Sequence, residues 1–174
     1  MPTLPKIMTL AGAACLAPAA LASTTTMPAT VFRPEEFFTG QTTGYGSLKV
    51  LMRRRTNIAV KSNGRMQSDG TLVLDQVITR SQKPTKMREW QLKELAPGHY
   101  TGSLTDAIGP VVGDVEGSDF HVMYKTKSGV SVDQHLVLQK NKNRVLNRMV
   151  FRKFGILVGR MSESIQRSAK TSDR

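Results

Sequence analysis

One cysteine, Cys15, is all the sequence contains. A single thiol excludes a disulfide framework, a four-cysteine zinc site and a C-x-x-C redox centre. Aromatic residues make up only 6% of the chain, which leaves few platforms for stacking the bases of a nucleic-acid strand. No internal stretch approaches the roughly 18 uninterrupted apolar residues of a membrane-spanning helix. The patterns H-E-x-x-H and G-x-S-x-G are both missing, so neither a zincin helix nor a nucleophile elbow is available. Acidic residues are few: 13 Asp and Glu face 25 Lys and Arg, giving a formal net charge of +12. The remaining composition is that of a globular chain, 39% hydrophobic and 22% charged over 174 residues. That length suits one domain.

The N-terminal segment reads as an address. Lys6 is the only charged side chain in residues 1–22, and an apolar run from Ile7 to Ala22 follows it, broken by Pro18. The run ends Ala20-Leu21-Ala22 before Ser23. A basic start, a modest apolar core and small residues two apart describe a secretory signal cleaved between Ala22 and Ser23. Lipidation at Cys15, after Gly12-Ala13-Ala14, is the alternative processing site. The expectation is an exported protein of a Gram-negative periplasm, membrane-associated if lipidated, whose stability comes from packing. Residues 23–36 are expected to be a flexible lead-in, 37–167 a single domain and 168–174 a frayed tail.

Period-two segments dominate the mature chain. In Ser47–Thr56, Leu48, Val50 and Met52 share one face, and Lys49, Arg53 and Arg55 the other. Such alternation predicts half-buried strands. Further strands are expected at 58–61, 71–80, 87–95, 99–106, 111–116, 120–124, 130–139 and 144–151. Turn chemistry separates them: Asn63-Gly64, Asp69-Gly70, Pro97-Gly98, Gly109-Pro110 and Ser128-Gly129. The C-terminal stretch is ambiguous. Leu157, Met161 and Ile165 recur every four residues, as on a helix, while Gly159 weakens that reading. Roughly eight to ten short strands with short connections predict an all-β antiparallel meander closed into a barrel. A short C-terminal helix is left as an option. A barrel of about eight strands is wide enough to be filled by side chains or to hold one small ligand.

The glycine and aromatic positions form an ordered set. It runs Phe37-Phe38-x-Gly40-x3-Gly44-Tyr45-Gly46, then Arg88-x-Trp90, then Tyr100-x-Gly102-x3-Asp106-x2-Gly109. Gly113-x3-Gly117 follows, and Asn147-Arg148-x4-Lys153-Phe154-Gly155-x3-Gly159 closes it. This set resembles the bacterial family called domain of unknown function 3833, from about Phe37 to Ile165. The resemblance implies an exported, often lipid-anchored envelope protein with a β-rich, lipocalin-like fold. It implies no known activity. Asp75 answers an acidic position of the family near the third strand. The chain departs from the family pattern at Asp133-Gln134-His135-Leu136, where an Asp-Asp-Trp-Met-like stretch is usual.

Arg88, Trp90 and Leu92 share one strand face, and Tyr100, Gly102, Leu104 and Asp106 share another. Each set has an apolar member, so both are expected to point inward. A buried guanidinium and carboxylate are costly unless paired. Arg88 and Asp106 are therefore the natural pair, with Asn147 or Arg148 joining it. The functional reading is a polar patch that orients an amphipathic ligand, with Trp90, Tyr100, Phe120 and Tyr124 as walls. The bland reading is a structural pair, or an Arg–Trp stack that closes the barrel. Gly40, Gly44, Gly46, Gly102, Gly109 and Gly155 are expected to be structural.

The three histidines are His99, His121 and His135. Asp133 and His135 share a strand face and could contribute to a metal site, but a second and third ligand cannot be named, so no metal and no cofactor is expected. Lys49 with Arg53, Arg54 and Arg55 forms one basic cluster, and Lys140, Lys142 and Arg144 another. In an exported chain such clusters meet anionic membrane surfaces, so nucleic acid is not an expected partner. The expected function is non-enzymatic binding or carriage of a small hydrophobic or amphipathic molecule, such as a lipid, by a monomeric barrel. The alternative is a structural or adaptor envelope protein with a filled barrel and a basic, membrane-facing surface.

Overall fold

The computed structural model describes residues 31–168. The expected signal segment, Cys15, the Ala22–Ser23 cleavage site and residues 169–174 lie outside the described residues. A short helix, α1 (Pro34–Phe38), precedes ten strands. They are β1 (Gly40–Val50), β2 (Thr56–Met66), β3 (Leu72–Arg80), β4 (Lys83–Ala96), β5 (His99–Leu104), β6 (Ala107–Glu116), β7 (Asp119–Thr126), β8 (Val130–Leu138), β9 (Arg144–Lys153) and β10 (Ile156–Arg167). Each strand pairs antiparallel with the next, and β10 closes onto β1. Closure satisfies every strand and leaves no edge.

Side-chain alternation decides which face becomes the lumen. On β9, Val145, Asn147 and Met149 are buried while Arg144, Leu146 and Arg148 are exposed. On β2, Ile58, Val60, Ser62 and Gly64 point in. Inward apolar residues from all ten strands make one continuous core with Phe32, Phe37 and Phe38.

Those three phenylalanines stopper one end of the barrel. The five residues of α1 are too few to be helical alone, and packing holds them. Phe37 and Phe38 meet edge to face at 4.9 Å, and Phe32 meets Phe120 of β7 at 6.0 Å. The Phe32 N–H donates to the Gly117 carbonyl at 2.7 Å. Gly64 makes room for the stopper, since a Cβ there would lie 1.9 Å from the Phe38 carbonyl oxygen. The opposite end carries the β1–β2, β3–β4, β5–β6, β7–β8 and β9–β10 turns.

Several sequence expectations change. The lead-in drawn to residue 36 ends earlier, because Phe32 is buried and Pro34–Phe38 is helical. The first strand begins at Gly40 and ends at Val50, so Gly44 and Gly46 lie within a strand. Asn63-Gly64 is likewise internal to β2, not a turn. Gly109-Pro110 lies inside β6, where the register with β7 shifts between Ile108 and Val112. The optional C-terminal helix is β10 instead. Its inward residues Met161, Glu163 and Ile165 do alternate, but Glu163 hides the apolar period, and an irregularity between Leu157 and Gly159 shifts the phase.

The expected structural glycines fall into two groups. Gly40, Gly109 and Gly155 take left-handed φ angles of 91°, 74° and 78°. At Gly44, Gly46 and Gly102 an added Cβ would lie within 2.3 Å of another atom.

Candidate functional site

Below the turn-bearing end, the lumen is not filled. A cavity of about 570 Å³ descends from the mouth to Phe38 and Phe120 at the stopper. Its walls are mostly apolar, with Ile58, Val60, Leu74, Val122, Met149 and Met161 among them. Arg80, Lys86, Asp106, Lys127 and Ser128 surround the mouth. The polar lining within is Gln76, Arg88, Gln134, Asn147 and Glu163.

Two polar groups organise that lining. On the β3–β4 wall, the Gln76 side-chain oxygen accepts from Arg88 Nε at 3.1 Å and from Trp90 Nε1 at 2.8 Å. The guanidinium lies over the Trp90 ring, 5.4 Å from its centroid, a favourable cation–π arrangement. Tyr124 meets the same indole edge to face at 5.3 Å. Burial pushes the Tyr124 hydroxyl pKa up. On the β8–β10 wall, Asn147 Nδ2 donates to Glu163 Oε2 at 2.9 Å. Gln134 Oε1 and Asn147 Oδ1 are buried and have no hydrogen-bond partner among the described residues. Buried acceptors left unpaired are costly.

Glu163 is the most buried carboxylate of the cavity, and Gly44 leaves the space it occupies: a Cβ at Gly44 would lie 1.9 Å from Glu163 Oε1. Burial raises its pKa above the usual carboxylate range, and the Asn147 amide and the Arg88 charge only partly oppose this. A raised carboxyl pKa costs the native state stability once the group ionises, and that cost disappears as pH falls towards the unfolded-state value. Stability is therefore expected to fall as pH rises through the window between the ordinary and raised values. Glu163→Gln removes this slope. Calorimetry should show its Tm several degrees above the parent at about pH 8 and no gain at about pH 4. A parallel pH dependence in both proteins would show that Glu163 is not the cause.

Of the sequence-predicted residues, Arg88, Trp90, Asp106, Phe120, Tyr124 and Asn147 line the cavity. Tyr100 does not. It lies by the stopper, where its hydroxyl donates to Glu35 Oε2 at 2.9 Å. Arg148 is exposed on the outer face, because alternation sends Asn147 inward. The expected Arg88–Asp106 pair is replaced: Asp106 is paired with Lys86, and Arg88 with Gln76 and Trp90. A neutral amide and an indole face satisfy the guanidinium without a carboxylate. Burial pushes the Asp106 pKa up, but hydrogen bonding to Lys86 and the charges of Arg88 and Lys86 outweigh it and hold it below the ordinary range. Sequence reasoning missed Gln76, Lys86, Gln134 and Glu163. Their signal was available as polar residues at inward positions of otherwise apolar alternations.

The histidines lie outside the cavity. His121 of β7 faces His135 of β8 on the outer wall, with rings stacked 4.2 Å apart at 7°. Asp133 lies 3.0 Å from His121 Nε2 and 3.6 Å from His135 Nε2, and Asp119 lies 2.9 Å from His135 Nδ1. The third potential ligand missing from the sequence reading is thus His121, brought in across strands. Parallel stacking sends the two ring lone pairs side by side, so convergence on one ion needs a ring to tilt.

The family model described as protein of unknown function DUF3833 matches residues 9–167. The chain belongs to the DUF3833 family. No curated protein matches this DUF3833 sequence. Its barrel is similar to the S-type phycobiliprotein lyase CPES of Guillardia theta, at TM-score 0.65 and 4% identity, over 79% of this chain and 92% of that one. A DUF3598-family protein of unknown function from Nostoc punctiforme gives TM-score 0.60 and 9% identity, over 80% of this chain and 50% of that one. Rv2717c of M. tuberculosis gives 0.59 and 14%, over 79% and 99%. At these identities the likeness is one of fold: the DUF3833 chain is a ten-stranded, lipocalin-like barrel.

Proposed function

We propose that this DUF3833 protein binds and carries a small amphipathic molecule as an exported, non-enzymatic component of the bacterial envelope. The cavity carries the reading. Its volume of about 570 Å³ falls among those of small-molecule sites, roughly 300–1,000 Å³, and it has their mix of apolar wall and few polar groups. The same barrel packs its stoppered end with Phe32, Phe37, Phe38 and Phe120. Above that stopper the lumen is hollow, which disfavours the alternative of a filled, purely structural barrel. No histidine is among the residues lining the cavity, so the most versatile general base has no place there.

The charges suggest an orientation. Arg80, Lys86, Arg88 and Lys127 gather in the upper cavity with one acid, Asp106, so an anionic head sits near the mouth and an apolar tail below. Gln134 Oε1 and Asn147 Oδ1 await a donor, which a hydroxyl or amide along the ligand supplies. Arg88→Gln is expected to weaken dodecanoate binding about tenfold, as for loss of one charge-assisted hydrogen bond. Dodecanol binding should change by less than about twofold. Isothermal titration of both ligands checks this. Equal losses for acid and alcohol would refute the orientation.

A further inference from the structure

The two ends of the barrel differ in charge and in apolar exposure. Segments 49–55 and 152–160 carry seven Lys or Arg and no Asp or Glu. They lie side by side at the mouth, since β1 pairs with β10 and the Leu51 N–H donates to the Val158 carbonyl at 2.9 Å. The stoppered end is mixed: Arg33 pairs with Glu35 and Glu36, and Lys93 with Asp69.

Large apolar side chains project from the same basic hairpins. Met52 is 94% exposed, Phe154 90%, Ile156 65% and Leu51 58%. Two of them sit where local folding disfavours them. Met52 and Phe154 have φ angles of 62° and 51°, in the left-handed region that bulky residues rarely enter. Phe154-Gly155 forms a two-residue hairpin loop between the paired Lys153 and Ile156, with positive φ at both positions. Asn or Gly is the ordinary choice for the first place in such a loop. Phenylalanine there neither packs in the core nor suits the turn, and its ring meets the exposed Lys153 ammonium, 5.7 Å from its centroid, a contact worth little in water. A residue that breaks a local rule without folding gain points to function.

Exposed apolar tips ringed by cations match an anionic bilayer. The tips enter the boundary between headgroups and acyl chains, and the cations meet the headgroups. The tips stand on two neighbouring turns beside the opening, rather than lining one groove that a protein segment could fill. We propose that this rim docks the protein mouth-down on an anionic membrane. Resting on the carrier reading, it follows that the cavity exchanges its amphiphile directly with the facing leaflet.

Phe154→Trp in the full chain gives a reporter at the tip. Its emission is expected to be quenched by brominated lipid in vesicles of phosphatidylglycerol and phosphatidylcholine, and far less in phosphatidylcholine alone. Combining it with Arg53→Gln, Arg54→Gln and Arg55→Gln should raise the half-saturating lipid concentration on the order of 100-fold. Combining it instead with Lys140→Gln, Lys142→Gln and Arg144→Gln, the same charge loss at the other end, should change it less than about threefold. In the otherwise unaltered chain, Phe154→Asn should weaken sedimentation with the anionic vesicles about tenfold without lowering Tm, because Asn suits the turn. No quenching at position 154, or equal losses from both charge triplets, would overturn the docking. Recovery of quenching-free protein bound through the rim to an acidic protein would also overturn it. Docking is read at position 154 and ligand retention by mass, so docking without a retained amphiphile would sink the carrier reading alone.

Discussion

A Val60→Phe, Val122→Phe double variant is expected to lose uptake of an alkyl amphiphile by roughly 100-fold while remaining as stable as the parent. Val60 on β2 and Val122 on β7 both line the cavity, and four strands lie between them on either side of a ring of ten. Each lies near the middle of its strand, so the added rings meet across the lumen. Excluding about four methylenes of a bound chain forfeits about 0.8 kcal/mol each, or about 3 kcal/mol in all. At 1.4 kcal/mol per decade that is a factor of roughly 100. In a packed core the same insertions would cost about 1–3 kcal/mol each through strain. Here they occupy empty space, and added wall contacts offset the strain. Titration with a dansyl-labelled fatty acid and a thermal melt give the two readouts. A variant that melts far below the parent would show that the lumen has no room at mid-height. A variant that binds normally would place the ligand elsewhere.

Gly102→Ala is expected to damage the fold severely. Its Cβ would lie 1.8 Å from the Gln91 carbonyl oxygen, 2.8 Å from that carbonyl carbon and 3.1 Å from Leu92 Cα. All three are backbone atoms of β4, which pairs with β5 through Leu92 and Gly102. No side-chain rotation relieves the clash, so one strand must lift from the other. The expected cost is about 3 kcal/mol or more, which lowers Tm by about 10 °C in a domain of this size. Gly109 supplies the contrast. Its φ is 74° and nothing lies within 4 Å of an added Cβ. Gly109→Ala therefore pays only the left-handed backbone penalty, about 1–2 kcal/mol. Equal Tm losses in the two variants would contradict the close approach at Gly102.

The fold was legible because its signal is local and repeated. Alternation on β7 and β8 placed Phe120, Tyr124 and Val132 on the lumen side, and the turn dipeptides Asp69-Gly70, Pro97-Gly98 and Ser128-Gly129 fell between strands, while on β9 the choice between Asn147 and Arg148 stayed open. Reading failed where tertiary contacts overrode local chemistry. Asn63-Gly64 carries a turn signature, yet Gly64 is a strand residue that the Phe38 carbonyl approaches closely. Phe32 to Phe38 has no period long enough to read, and its order comes from filling the barrel end. Within the site, the inward direction of Arg88, Trp90 and Asp106 followed from alternation. Their partners did not. Lys86 reaches Asp106 along its own sheet face, and Gln76 reaches Arg88 and Trp90 from β3 through the register of the β3–β4 pair, which alternation along a single strand does not reveal. Glu163 stayed hidden because an acid at an inward position resembles a break in the pattern.

Trp90 is the only tryptophan of the chain, and it lines the cavity. Its fluorescence therefore reports occupancy of the lumen without any label on the protein. Titrating the DUF3833 protein with the dansyl-labelled fatty acid should transfer energy from Trp90, saturate at one molecule per chain and reverse when dodecanoate is added. Transfer that never saturates, or that persists undiminished in the Val60→Phe, Val122→Phe variant, would contradict a ligand-binding barrel.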